Sequence, residues 1–266
     1  MNDLYLIELF CFIHDALNSL GIKDDPRARF SEAEVVFVGI LAARLFSGNI
    51  RNASSYLKSS GYCPKMLSES RLNRRLHKVD YWNNILSFLS KADSQYIVDS
   101  FPIPSCRLSR LSTARLFKGK CFKGYNSYHK TFFHGLKIHS IIAKNGCLHL
   151  FQITPGSEHD LKALKFMDLS FPRPCRLYAD KAYNDYKFEE KLSKEKIRLT
   201  PKRKENSLKS YTKGIALKLK KYRKRVETAI SGIVRLMPRW IQAVTEHGFE
   251  MKICLFILVY ASNFLN

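Results

Sequence analysis

Apolar residues in the first ninety positions recur at helical spacing. Leu6, Phe10, Ile13, Leu17 and Leu20 step by 4, 3, 4 and 3, which puts one apolar stripe on a helix. Ser31 followed by Glu34 is a capping-box pair standing just before Val35, Val36, Val38, Ile40 and Leu41. Gly48 and Asn49 close that segment, and a shorter helix over 51–59 ends at Gly61. Ser68 is placed to cap a further helix that carries Arg71, Arg74 and Arg75, with Leu72 and Leu76 facing inward. A helix-turn-helix unit and an ordinary helical bundle both fit this pattern.

The period shortens near residue 95. Residues 95–100 read as a short buried strand stopped by Pro102 and Pro104. Residues 105–134 mix glycines and hydroxyls with basic residues, interleaved with Phe117, Phe122, Tyr125 and Tyr128, and read as loop or ragged strand. The apolar runs 136–144 and 147–154 flank Asn145-Gly146, which predicts a hairpin with a type I′ turn. A helix over 158–169, a strand over 176–179, a helix over 188–192 and a strand over 197–200 follow. Ile215, Leu219, Tyr222, Val226, Ile230, Ile233 and Met237 then form one continuous helical stripe within 207–237. Lys218, Lys220, Lys221, Arg223, Lys224 and Arg225 occupy its other face, and 249–265 is a last apolar helix. The order predicts an all-helical region over 1–90 and an α/β domain, a mixed sheet flanked by helices, over 91–266.

Composition narrows the class. The chain has 266 residues, 45 Lys+Arg against 23 Asp+Glu, and a formal net charge of +22. Hydrophobic residues at 45% exclude wholesale disorder. The longest apolar run, 253–265, is interrupted by Ser262 and Asn263, too short for a membrane span, and no signal-peptide pattern opens the chain. Seven scattered cysteines without a CxxC pair argue against a disulfide framework or structural zinc, so a cytoplasmic protein with no membrane partner is expected. Nine Lys/Arg and no acid lie in 105–144, and nineteen basic against six acidic residues lie in 181–240. Such one-signed blocks suit a phosphate backbone, and a polyanionic partner is expected.

Three acids interrupt this basic frame. Asp99 follows Tyr96-Ile97-Val98, Asp180 follows Leu177-Tyr178-Ala179, and Glu227 stands one residue past Val226 in the most basic helix. Each has an ordinary structural explanation: a turn cap, a loop start, and an ion pair with Arg223 four residues earlier. Together they form a hard oxygen set suited to Mg²⁺ or Mn²⁺, and two such ions can support in-line phosphoryl transfer. Glu158, His159 and Asp160 read as a cap for the helix after them, with a place in the active site as the alternative. His129, His134 and His139 lack cysteine partners for zinc.

The chain resembles bacterial insertion-sequence transposases of the DDE superfamily, whose catalytic domain is RNase H-like. The resemblance runs through IVDS at Asp99, DKAY at Asp180, Ala182 and Tyr183, and RKRVE at Arg223 and Glu227. KGYNSYHKTFFHGLKIH and LSESRLNRRLH are similar to that group too. One common glutamate signature has tyrosine three residues before the arginine and lysine seven after the glutamate. Here Lys220 and Val234 stand there, with Tyr222 and Arg235 beside them.

The resemblance implies that Asp99, Asp180 and Glu227 are catalytic and bind metal, with the first and fourth strands adjacent. It implies hydrolysis at the transposon ends, then attack of the freed 3′-hydroxyl on target DNA. Terminal inverted repeats and target DNA would be the partners of a homo-oligomer. Arg71, Arg74, Arg75, Lys130, Lys137 and Arg223 are the expected DNA contacts. A nuclease or resolvase on the same fold, and a non-catalytic DNA-binding protein derived from a dead element, fit the same residues.

Overall fold

A computed structural model describes residues 3–90, 93–127, 129–203 and 207–265. Two compact units divide the chain, one made of the residues up to Leu89 with the segment from Ile233 onward, the other of Ser90–Gly232.

The first unit is helical: α1 (Asp3–Ser19), α2 (Glu32–Leu45), α3 (Ile50–Ser59), α4 (Glu69–Leu76) and α5 (Trp82–Leu89). The capping box forms, with the Glu34 amide donating to Ser31 Oγ at 3.1 Å and the Ser31 amide to Glu34 Oε2 at 2.5 Å. Ser68 sits at the N-cap of α4 without a side-chain cap bond, while Leu72 and Leu76 face inward as expected. Helix α5, around Trp82, Ile85 and Leu86, is an addition to the sequence reading.

The terminal apolar helix lies elsewhere than expected. It runs over Glu246–Ser262 (α9) and packs on α2 and α5, so it groups with the first unit and not with the α/β domain. Its apolar residues surround the helix, and such a helix needs neighbours on several sides. Gly39 permits the close approach, since a Cβ there would lie 2.9 Å from both Leu255 and Leu76. Among the described residues no single helix is long and apolar enough to cross a membrane; α2 and α3 pass that test only as a pair bent by 107°.

The second unit is a six-stranded mixed sheet with helices. Strands β1 (Gln95–Cys106), β2 (Lys123–Asn126), β3 (Thr131–Ala143), β4 (Leu148–Pro155), β5 (Cys175–Ala179) and β6 (Ile197–Pro201) run in the order β2-β3-β1-β5-β6, with β4 paired to β3. Helices α6 (Asp160–Phe166), α7 (Tyr186–Lys194) and α8 (Lys213–Leu236) join them. Strands β1, β3 and β4 are antiparallel neighbours, and β1, β5 and β6 are parallel, which is the RNase H-like arrangement. The extra strand β2 makes the expected fourth strand the fifth.

Two local expectations are corrected. Strand β1 does not stop at Pro102 but runs through both prolines to Cys106. Strand β5 pairs only with 95–98, so beyond Val98 one edge of β1 is free, and a proline there removes no ladder bond. In the hairpin turn only Gly146 has a positive φ, 97°, and its amide returns to the Ala143 carbonyl at 2.9 Å. That is a three-residue loop with glycine at the left-handed position, not a type I′ turn.

Gly135 has φ 151°, and a Cβ there would meet the Ile103 carbonyl oxygen at 2.3 Å across the β1–β3 ladder. Gly135→Ala is expected to cost about 3 kcal/mol, read as a lower urea midpoint with unchanged slope.

One face of the sheet is closed by a core that includes Tyr96, Val98, Ile141, Leu164, Leu177, Phe188 and Leu199. On the other face α8 stacks Tyr222 on Tyr178, with centroids 4.5 Å apart, and the Tyr222 hydroxyl donates to Gln95. This contact sets the height of α8 above the sheet, and so the reach of its polar side chains.

Candidate active site

Asp99 and Asp180 come together because the parallel pairing of β1 and β5 ends one residue before each. Val98 pairs with Ala179, so the two aspartates occupy the next register position, about 5 Å apart in the backbone. They share the face that carries Ile97 and Tyr178. Strand β5 stops there because Asp180 opens a 3₁₀ turn over Lys181–Tyr183, where the Tyr183 amide donates to the Asp180 carbonyl at 3.2 Å. Asp180 makes no side-chain cap bond, so its carboxylate is not committed to the turn.

Asp99 is held well above the ordinary carboxylate range, at about 7. Burial is the largest cause; the Ser100 amide, donating at 2.8 Å, opposes it, and repulsion from Asp160 and then Asp180 adds to it. Tyr183, 1% exposed, turns its hydroxyl toward the same three acids, and burial raises it well above the usual tyrosine value.

For Asp160 the fold decides between the two roles that SEHD leaves open. The expected helix cap is absent: His159 stands at the N-cap of α6 and makes no side-chain cap bond. Asp160 instead accepts from Ser100 Oγ at 2.8 Å and pairs with Lys137 at 3.4 Å. His139, 1% exposed, has Nδ1 at 3.7 Å from Asp160 and Nε2 at 2.9 Å from Thr154 Oγ1. Burial lowers this histidine to about 4, so it is neutral near pH 7. The signal present in SEHD was an acid just past the end of β4, which pairs with β3 and not with β1, and only the fold brings Ser100 to it.

Glu227 is engaged by Arg223. The pair is 3.0 Å apart on α8, with about half of each side chain exposed. The Arg223 guanidinium is held above its ordinary value first by Glu227 and then, after opposing desolvation, by Asp180 and Asp99. Among the described residues no group of three His, Cys, Asp or Glu side chains is arranged to hold a metal ion. Of the expected three carboxylates, Asp99 and Asp180 are neighbours where β1 and β5 stop pairing, whereas Glu227 is taken up by Arg223, whose charge the two aspartates feel without an ion pair among the described residues.

The expected DNA contacts separate into exposed and committed residues. Arg71, Arg74 and Lys130 are exposed. Arg75 is committed inside the fold, 2.5 Å from Glu32 and also donating to the Phe30 carbonyl, and Lys137 donates to the Glu158 carbonyl at 2.7 Å. Neither is free to hold a phosphate. The aromatic residues interleaved with the basic block divide into buried and exposed. Phe117 and Phe133 are buried, whereas Tyr125 and Phe132 are exposed in a T-shaped pair with Lys123 4.9 Å from the Phe132 ring centroid. Tyr128 lies outside the described residues. His134 is buried at 2% exposure and His129 is exposed.

A mixed sheet of this order, with helices on its faces, defines an RNase H-like domain. The chain belongs to the transposase DDE domain family, whose model matches residues 89–238. No curated protein matches its sequence. Among solved structures it is similar to piggyBac transposase, in a cryo-EM synaptic complex with hairpin DNA. The identity is 9% and the TM-score 0.44, over 98% of this chain and 74% of that one.

Proposed function

We propose that the chain is the metal-dependent transposase of a bacterial insertion sequence, acting in the cytoplasm at the nucleoid. It cleaves at the terminal inverted repeats and joins the freed 3′-hydroxyl to target DNA. The observation that carries the reading is the aspartate pair: two carboxylates in adjacent register, one held at about 7 by burial and by neighbouring acids.

Such a pair fits a divalent cation, because hard oxygen donors that repel one another are what Mg²⁺ or Mn²⁺ satisfies. Asp99 and Asp180 would hold the metal, and Glu227 could serve as a further donor once its pair with Arg223 opens. When bound, one or two ions supply activation of the attacking oxygen and neutralisation of the leaving one.

The residues of the chain do the rest. Ser100 orients Asp99 through its amide, and Asp160 fixes Ser100. Arg223, released from Glu227, places a fixed positive charge beside the acids for the scissile phosphate. In the first step water attacks phosphorus and the bond to the 3′-oxygen of the element breaks. In the second that 3′-oxygen attacks a target phosphate, and the target's own 3′-oxygen leaves. A homo-oligomer would hold two element ends at once.

A non-catalytic DNA-binding reading is favoured by one observation, the engagement of Glu227 by Arg223. Incubation of the protein with a labelled element-end duplex and Mg²⁺ separates the cases. Cleavage followed by joining is expected. Cleavage without joining would make the protein a nuclease, and binding with neither would leave the non-catalytic reading.

A further inference from the structure

At the end of the sheet opposite the aspartates lies an open cavity of about 430 Å³, lined by Gln95, Arg176, Tyr178, Lys196, Arg198 and Lys218 among others. The sheet builds it. Gln95, Arg176 and Arg198 are register neighbours on β1, β5 and β6, so their side chains leave one face of three adjacent strands. Lys218 enters from α8, and Lys196 from the tight turn before β6, where its φ is 61°. Buried Tyr178 contributes to the wall, with the Arg176 guanidinium 5.9 Å from its ring centroid.

The charges there are unbalanced. None of Arg176, Lys196, Arg198 and Lys218 makes an ion pair among the described residues, and no carboxylate lines the cavity. The acids nearby are engaged elsewhere. Asp93 accepts from the amides of Ser94, Gln95 and Lys144, Glu195 pairs with Arg173 at 3.2 Å, and Glu189 pairs with Arg203 at 2.6 Å. Like charges directly opposite on neighbouring strands are destabilising, so Arg176 beside Arg198 is a cost to the free fold that a bound anion removes.

We propose that this cavity is a second nucleic-acid site, which grips backbone phosphates of duplex DNA away from the point of cleavage. Arg176 on β5 and Asp180 just past its end fall on the same face, four residues apart, hence about 13 Å at the rise of a strand. That is about four base-pair steps of duplex at 3.4 Å each, close enough for one DNA molecule to meet both places. Forked guanidinium donors from Arg176 and Arg198 suit phosphate oxygens, with the lysines adding point charge. The proposal rests on the transposase reading for the identity of the anion as DNA, and it assigns that DNA a contact the acid pair does not provide.

The test uses Arg198→Glu/Lys218→Glu, two exposed positions outside any ion pair, with Lys187→Glu/Lys191→Glu on α7 as a charge-matched control. Affinity for a fluorescent element-end duplex is measured by anisotropy from 50 to 200 mM salt, after circular dichroism shows both variants folded. The cavity variant should bind more weakly than the control, with a log–log salt slope shallower than wild type by about 1.8, the value for two lost phosphate contacts. The neutral variant Arg198→Gln/Lys218→Gln should show the same change of slope. Equal slopes for cavity variant and control would overturn the proposal. So would a thermal shift of wild type by inorganic phosphate that the cavity variant loses while its DNA binding is unchanged, since the site would then take a small anion. Binding is read without cleavage, so an inactive wild type would sink the transposase reading and leave this measurement standing.

Discussion

Asp180→Asn should lower cleavage and joining by about 10³-fold or more while changing duplex affinity by less than about twofold. Several kcal/mol of transition-state stabilisation are at stake when a metal-binding carboxylate is neutralised, and each 1.36 kcal/mol is a factor of ten. Asparagine keeps the shape of the side chain and, since Asp180 caps nothing through its carboxylate, the local turn should survive. Phosphate binding should survive too, because it draws on the basic surface. The measurement is single-turnover cleavage of a labelled element end, with binding followed separately. Glu227→Gln in the same assay decides how the glutamate is used. A comparable loss means that it joins the aspartates during reaction. A loss within about tenfold means that it is only Arg223's partner, since an exposed i,i+4 ion pair contributes about 0.3–0.5 kcal/mol.

Asp99→Asn should stabilise the metal-free protein at alkaline pH. The carboxyl titrates at about 7 in the fold against an ordinary 3.8, so the folded state binds the proton more tightly than the unfolded chain. Its contribution is fully favourable below about pH 4 and is lost as pH rises through about 7. At pH 8 the charged form costs at most about 4 kcal/mol. Part of Asp99 reaches solvent, so a gain of about 2–3 kcal/mol is the expected result for the variant. Urea unfolding in chelator should show this gap at pH 8 and its narrowing toward pH 4. Magnesium at pH 8 should raise the wild-type midpoint and leave the variant's nearly unmoved. A variant no more stable than wild type at pH 8 would show that the charged Asp99 carboxylate carries no such cost in the fold.

The aspartate pair was legible because each acid follows a short apolar run, and an apolar run that ends on a carboxylate has a strand's reason to stop there. The long stripe of α8 and the capping box before α2 were equally plain, since both are local patterns. Asp160 was not legible in its role. Its position in SEHD has the form of a helix cap, and its partners Ser100 and Lys137 are 60 and 23 residues away. The prolines of β1 misled for a related reason. They disfavour a strand only where both edges are paired, and edge pairing is decided by the length of β5.

Charge followed the same division. A count along the chain places two basic blocks at 105–144 and 181–240 around a neutral middle, but it does not separate a free lysine from a committed one. The fold removes Lys137 and Arg75 from the phosphate-binding set and gathers Arg176, Arg198, Lys196 and Lys218 at one cavity.

By itself the sequence determined the class of fold, the basic character, and the acids around which a transposase reading forms. Each depends on periodicity or composition, which local physics translates directly into structure. The tertiary structure alone decided that α9 packs with the N-terminal helices, that Asp160 binds Ser100 beside Asp99, and that Arg223, the partner of Glu227, lies within the field of the two aspartates. Those are pairings across long sequence separations, set by strand register and by the seating of Tyr222 on Tyr178, and no window along the chain contains both partners.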